Sequence, residues 1–407
     1  MFAVADTDKL VDDGVIAPEA AREIEARSRQ AMVTLGINTV LCLGILSATG
    51  GLVLWLQDPL AVAVVGLLLL AGGFGILARG GGDLRMFGNA AALIGAGMLC
   101  GGGTVELVSN HPRIAGQMLS VLGGVIMAGA MFAFVRDLAR APFVTGAVAL
   151  MGLAMHVGGL GYLIAYNGVS GLPVSLFYLY TAGLLAAGGW LLDVRLITAL
   201  AIVPFAQMLD TGTFYFHAAY VFYSPESTLS ILQMAVLLAA CLWVAGRYGE
   251  RSARHARILA MLGFVVANLC ALVGSLWGDV VGETIWGPAE PEVWSEGAWD
   301  AYSKARDAYR ETAPFISEGV YSVLWAAALV ALLFWSAHRG NRGLFNASLV
   351  FGVIHAYTQM FESFGDEPLA YVIGGLALIP IAWGMWRFDR WIKAQAPAAS
   401  GVQHPDG

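Results

Sequence analysis

Ionisable side chains inside long apolar stretches are costly to keep, so each is a candidate for chemistry. Asp210, His156, His355, Glu362 and Asp279 all fall in the middle or outer half of such stretches, as do Glu106, His217 and Glu318. His355, Gln359 and Glu362 recur at i, i+4 and i+7, which places them on one helical face. Asp210 follows Gln207 by one turn and precedes His217 by two, beyond a kink expected at Pro204. His156 stands beside the glycine-rich run Gly158-Gly159-Leu160-Gly161. Carboxylates and imidazoles in this pattern are suited to binding a cation or a proton. Asp210, His156, His355, Gln359, Glu362 and Asp279 are therefore the expected lining of an outward-facing polar cavity. A blander reading stands beside it. Glu106, Asp279, Glu318 and Glu362 can sit at the headgroup boundary, and His156 and His355 can make interhelical hydrogen bonds. No His pair lies at i, i+4, so no metal site is expected.

Other chemistries are argued down by what the chain lacks. Its three lysines, Lys9, Lys304 and Lys393, all lie outside the apolar stretches, which leaves no Schiff-base lysine. None stands in a phosphate-binding GxxxxGK[ST] loop. Gly168-Val169-Ser170-Gly171 matches the short GxSG of intramembrane serine proteases, and without a fitting histidine it reads as a turn. Cys42, Cys100, Cys241 and Cys270 lie in apolar runs and read as small packing residues. No basic patch with interleaved aromatics is present, so nucleic acid is not an expected partner. No cofactor is expected.

The elements that must position these residues are membrane spans. The chain has 407 residues, of which 58% are hydrophobic and 13% charged, with mean hydropathy +0.70. A soluble domain carries about 25% charged residues. Its 51 glycines let helices approach closely in lipid. Stretches of about 20 apolar residues give an all-α polytopic bundle of twelve spans, at 34–56, 59–78, 87–107, 114–135, 142–165, 173–192, 196–219, 227–246, 258–280, 316–337, 343–363 and 368–386. With both termini inside, only Arg113, Lys304, Arg306 and Arg310 of the 22 basic residues fall on the outer side. That is the asymmetry expected of cytoplasmic loops. The reading places the chain in the cytoplasmic (inner) membrane.

Residues 1–33 read as a cytoplasmic helical hairpin, broken at Gly14 and restarted at Pro18. The outer segment 283–315 reads as amphipathic, with Trp294, Ala298, Tyr302, Ala305 and Tyr309 on one face. It either lies at the headgroups or covers the cavity. Residues 387–407 read as a largely disordered cytoplasmic tail. No cleavable signal peptide is visible in the polar N-terminus. Asp58-Pro59-Leu60-Ala61 echoes Glu367-Pro368-Leu369-Ala370, but no half-chain inverted repeat emerges.

The opening Leu10-Val-Asp-Asp-Gly14-Val-Ile16-Ala-Pro-Glu-Ala-Ala-Arg-Glu-Ile24 resembles the short soluble start of a bacterial membrane family, the domain-of-unknown-function 2157 family. The closing segment from Asn346 to Arg390, with Phe364-Gly365-Asp366 and Gly374-Gly375, is similar to that family's last hairpin. The tryptophan such proteins often show after the first span is matched at best by Trp55. The resemblance implies a membrane protein and carries over no catalytic residue.

Three functions fit these observations. The first is a permease-like or ion-coupled carrier of a small solute, cation or proton. The second is a sensory or scaffolding protein that docks a cytoplasmic partner through residues 1–33. The third is a membrane-embedded enzyme acting on a lipid or cell-wall precursor, with a lipid expected beside Asp210 or Asp279.

Overall fold

The computed structural model describes residues 7–12, 14–29, 58–79, 85–137, 142–209, 226–289, 291 and 295–364, with scattered single positions in 40–55 and 369–387. Asp210, His217, Trp294, the tail and most of the first and last expected spans lie outside the described residues. The fold is all-α. Its helices are α1 (Thr7–Asp12), α2 (18–29), α3 (Pro59–Arg79), α4 (Arg85–Asn110), α5 (Pro112–Val135), α6 (Pro142–Tyr166) and α7 (Leu172–Leu192). They continue as α8 (Arg195–Leu200), α9 (Ile202–Gln207), α10 (Ser227–Arg247), α11 (Glu250–Trp277), α12 (Glu283–Trp286), α13 (Glu296–Thr312), α14 (Glu318–His338) and α15 (Arg342–Phe364). Asp279–Val280 (β1) and Phe315–Ile316 (β2) form a two-residue antiparallel ladder, Asp279 opposite Ile316. Among the described residues, eight helices are long and apolar enough to cross a membrane: α3 to α7, α10, α11 and α14. The chain is an integral, multi-pass membrane protein.

The chain divides into two units, Met1–Gly171 and Leu172–Gly407. In the first, Thr7 Oγ1 donates to Glu25 Oε1 at 2.7 Å, tying α1 to α2 across the Gly14 turn. The spans pair as α3 with α4 and α5 with α6. Glycines make these pairs close. Gly66 and Gly73 of α3 face Gly95 and Ala92 of α4, and Gly123 of α5 faces Gly152 and His156 of α6. A Cβ at Gly66, Gly73, Gly95, Gly123, Gly152 or Gly159 would come within 3.0 Å of the facing backbone. Gly66 and Gly73 on α3, and Gly152 and Gly159 on α6, lie seven residues apart, the period that keeps one face on its partner. Without a hydrophobic drive between helices in lipid, such backbone contact supplies the packing energy.

In the second unit, α11 is the central helix, and α10, α14, α8 and α15 pack on it. At 28 residues it is about 42 Å long, more than the hydrocarbon thickness. The expected span 258–280 falls on α11 up to its C-terminal end. α11 begins at Glu250 and stops at Trp277, because Gly278 takes φ +67°, so Asp279 lies in β1, just past the end of the helix. The expected span 196–219 opens as two six-residue helices broken at Ala201. Pro204 has no N–H to donate to the Leu200 carbonyl four residues back, so the ladder fails there.

Candidate functional site

The sequence-derived residues divide between the two units. In the first, His156 Nδ1 lies 2.6 Å from the Ser120 carbonyl of α5. A carbonyl only accepts, so Nδ1 carries the proton, and the imidazole links α6 to α5. Glu106 takes the Asn110 amide at 2.9 Å one turn from the end of α4. In the second unit, burial falls along the α15 row: His355 is buried, Gln359 half-buried and Glu362 exposed. Glu318 is exposed in the first turn of α14.

Asp279 is the candidate whose surroundings have the most to offer chemically. It is 2% exposed. Thr228, in the first turn of α10, donates its backbone N–H to Oδ2 at 2.8 Å and its hydroxyl to the same oxygen. The Tyr321 hydroxyl of α14 donates to Oδ2 at 3.2 Å and lies 2.5 Å from Thr228 Oγ1. The carboxylate thus sits at the positive end of the α10 dipole. Its other oxygen, Oδ1, is buried without a hydrogen-bond partner among the described residues.

Two further carboxylates organise the approach to this point. Glu226, 3% exposed and immediately before α10, accepts from the backbone N–H of Gly282 at 2.8 Å and of Thr284 at 2.7 Å. Gly282 takes φ +86°, a turn that a side chain would strain. Glu283 accepts from Arg310 at 3.0 Å and from Arg306, which fastens α13 over the turn. Burial pushes the Glu283 carboxyl up, but the guanidinium groups of Arg310 and Arg306 outweigh it and hold it below its ordinary value. The half-buried residues of α13 are Ala298, Tyr302, Ser303, Arg306 and Tyr309. Ala305, expected on one face with Ala298, Tyr302 and Tyr309, is exposed, and Arg306 reaches inward in its place.

Below Thr228 and Tyr321 opens a cavity of about 370 Å³ between α10, α11 and α14. Its walls are apolar: Ile231, Phe264, Ala267, Trp325 and Leu329. Two of the lining residues, Leu232 and Leu324, are 58% and 64% exposed, so the cavity is a groove open at the apolar surface of the unit. Asn268 is already bonded inside it, donating to the Phe264 carbonyl at 2.8 Å and accepting from Trp325 Nε1 at 2.9 Å. His355 stands edge-on behind Trp325, ring centroids 4.6 Å apart. Two sequence-derived candidates, Asp279 and His355, therefore back the walls of one groove.

A second polar cluster lies at the opposite end of α11. Thr198 Oγ1 is 2.6 Å from His255 Nδ1, and His255 Nε2 is 2.9 Å from Asp193 Oδ1. Arg254 meets Asp193 at 3.1 Å. The hydrogen bond from His255, joined by the charges of Arg254 and Arg251, holds the Asp193 carboxyl below the usual range.

Sequence reasoning missed Thr228, Tyr321, Glu226, Asn268, Trp325 and His255. A signal existed for one of them. Glu226 directly precedes Ser227-Thr228 at the head of an apolar run, where a charge has a structural reason to be. In comparisons with family models, curated proteins and solved structures, nothing matched this chain.

Proposed function

We propose that this chain is a twelve-span protein of the cytoplasmic membrane, with both termini inside, that receives an amphiphilic solute from the outer side. The groove between α10, α11 and α14 is its binding site, as in a permease-like carrier. The distribution of basic residues supports this orientation. Arg251, Arg254 and Arg257 gather at the start of α11, while Asp279 follows its far end. The observation that carries the reading is the groove itself. Its volume is that of a small-ligand site, its rim is apolar and exposed, and Thr228 and Tyr321 bring two hydroxyls to its lining.

The test is native mass spectrometry of the full chain released from mild detergent. A lipid or other amphiphile should remain bound to the wild-type protein. Ala328→Trp, which fills the groove from its rim, should abolish that adduct while the protein stays monodisperse. No adduct on the wild type, or one indifferent to Ala328→Trp, would remove the groove as the site.

A further inference from the structure

We infer that the polar end of this groove selects a cationic head, so that the ligand is an amphiphilic organic cation: an ammonium group attached to an apolar chain. The inference rests on the groove being the binding site, and it concerns what the groove prefers.

Thr228 and Tyr321 line the cavity. The Thr228 proton is given to Asp279 Oδ2, and the Tyr321 proton goes to the same oxygen or to Thr228 Oγ1. Both donors are therefore committed away from the groove. What the two hydroxyls have left is lone pairs. These two hydroxyls thus present acceptors to the groove, which calls for a ligand that donates.

Charge points the same way. Asp279 stands directly behind the two hydroxyls with one oxygen unpartnered. No lysine or arginine is bonded to Asp279 or Glu226 among the described residues. The two arginines of α13, Arg306 and Arg310, are both engaged by Glu283. A hydroxyl that donates to a carboxylate becomes a better acceptor, because hydrogen bonds in a chain polarise one another. An ammonium placed against Tyr321 and Thr228 would complete the series N–H to O–H to carboxylate. A neutral or anionic head would leave Asp279 as it is or face it with like charge.

The walls suit such a ligand. Phe264, Tyr321 and Trp325 all line the groove, and aromatic faces attract a desolvated cation. Below them, Ile231, Ala328 and Leu332 offer only apolar contact to a chain.

The experiment compares two probes of equal chain length, decylammonium and decanol, on the full chain in lipid nanodiscs, with saturable binding counted above empty nanodiscs. Decylammonium should bind at least about tenfold tighter than decanol, and Asp279→Asn and Tyr321→Phe should each remove most of that preference. Equal binding of the two probes to the wild type would overturn the cationic selection while leaving the groove intact. Binding of neither probe would instead remove the groove reading. The wild-type comparison decides the matter even if a variant fails to fold.

Discussion

The Thr198 hydroxyl lies 2.6 Å from His255 Nδ1, joining α8 to α11 through an imidazole whose other nitrogen meets Asp193. Hydroxyl, imidazole and carboxylate in a row are the parts of a nucleophile relay. Here the hydroxyl is 1% exposed and packed on Gly189, where a Cβ would strike it. No substrate reaches it, so the row is a fastening of the α7–α8 corner to α11. Asp193 holds φ +54° at that corner. Thr198→Val should leave His255 Nδ1 buried without its partner and lower stability by about 1–3 kcal/mol. Thermal unfolding in detergent reads this directly, and an unchanged midpoint would refute the fastening role.

The glycine seams make a sharper comparison. Gly123→Ala places a methyl against the backbone of His156, whereas Gly129→Ala on the same helix meets nothing within 4 Å. The first should cost about 1–3 kcal/mol through forced separation of α5 and α6. The second should be neutral or slightly stabilising, since alanine is the better helix former. Both are measured by the same melting experiment.

The Glu283 clamp predicts an acid limit. Its carboxyl is held below the ordinary value of 4.5 by Arg310 and Arg306 against the opposing effect of burial. A group with a depressed folded value contributes its stabilisation above the ordinary value and loses it as pH falls through the folded one. Hydrogen exchange across 296–312 should stay slow at neutral pH and quicken only below about pH 4.5, after correction for the intrinsic rate. Glu283→Gln should show the fast exchange already at pH 7. If it does not, α13 is held by its other contacts.

Orientation has its own test. A cysteine at Lys304→Cys should react in intact cells with a maleimide that cannot cross membranes. One at Arg339→Cys should react only after permeabilisation. The opposite pattern would invert the proposed topology.

Much of the fold is written in the apolar runs, because lipid demands long stretches and punishes interruptions. The run expected at 59–78 is the helix Pro59–Arg79, and that at 227–246 is Ser227–Arg247. The end of α11 was harder to read. Val280 and Val281 continue the apolar pattern past Gly278, and only the backbone turn at that glycine shows where the helix stops. The site was less legible still. Asp279 drew attention by its charge, but its partners Thr228 and Tyr321 lie 51 and 42 residues away along the chain. Their pairing depends on how α10 and α14 lean on α11, which no local pattern encodes. His255 sits among Arg251, Arg254 and Arg257 in the sequence. It is buried because α8 turns back upon it.

A methyl group and a water molecule are of similar size, so a junction that refuses the first has no room for the second. Along α3 against α4, and α5 against α6, main chain rests on main chain, and the peptide units themselves act as insulation. At Gly66, Gly73, Gly95, Gly123, Gly152 and Gly159 there is no room for a water molecule between the paired helices.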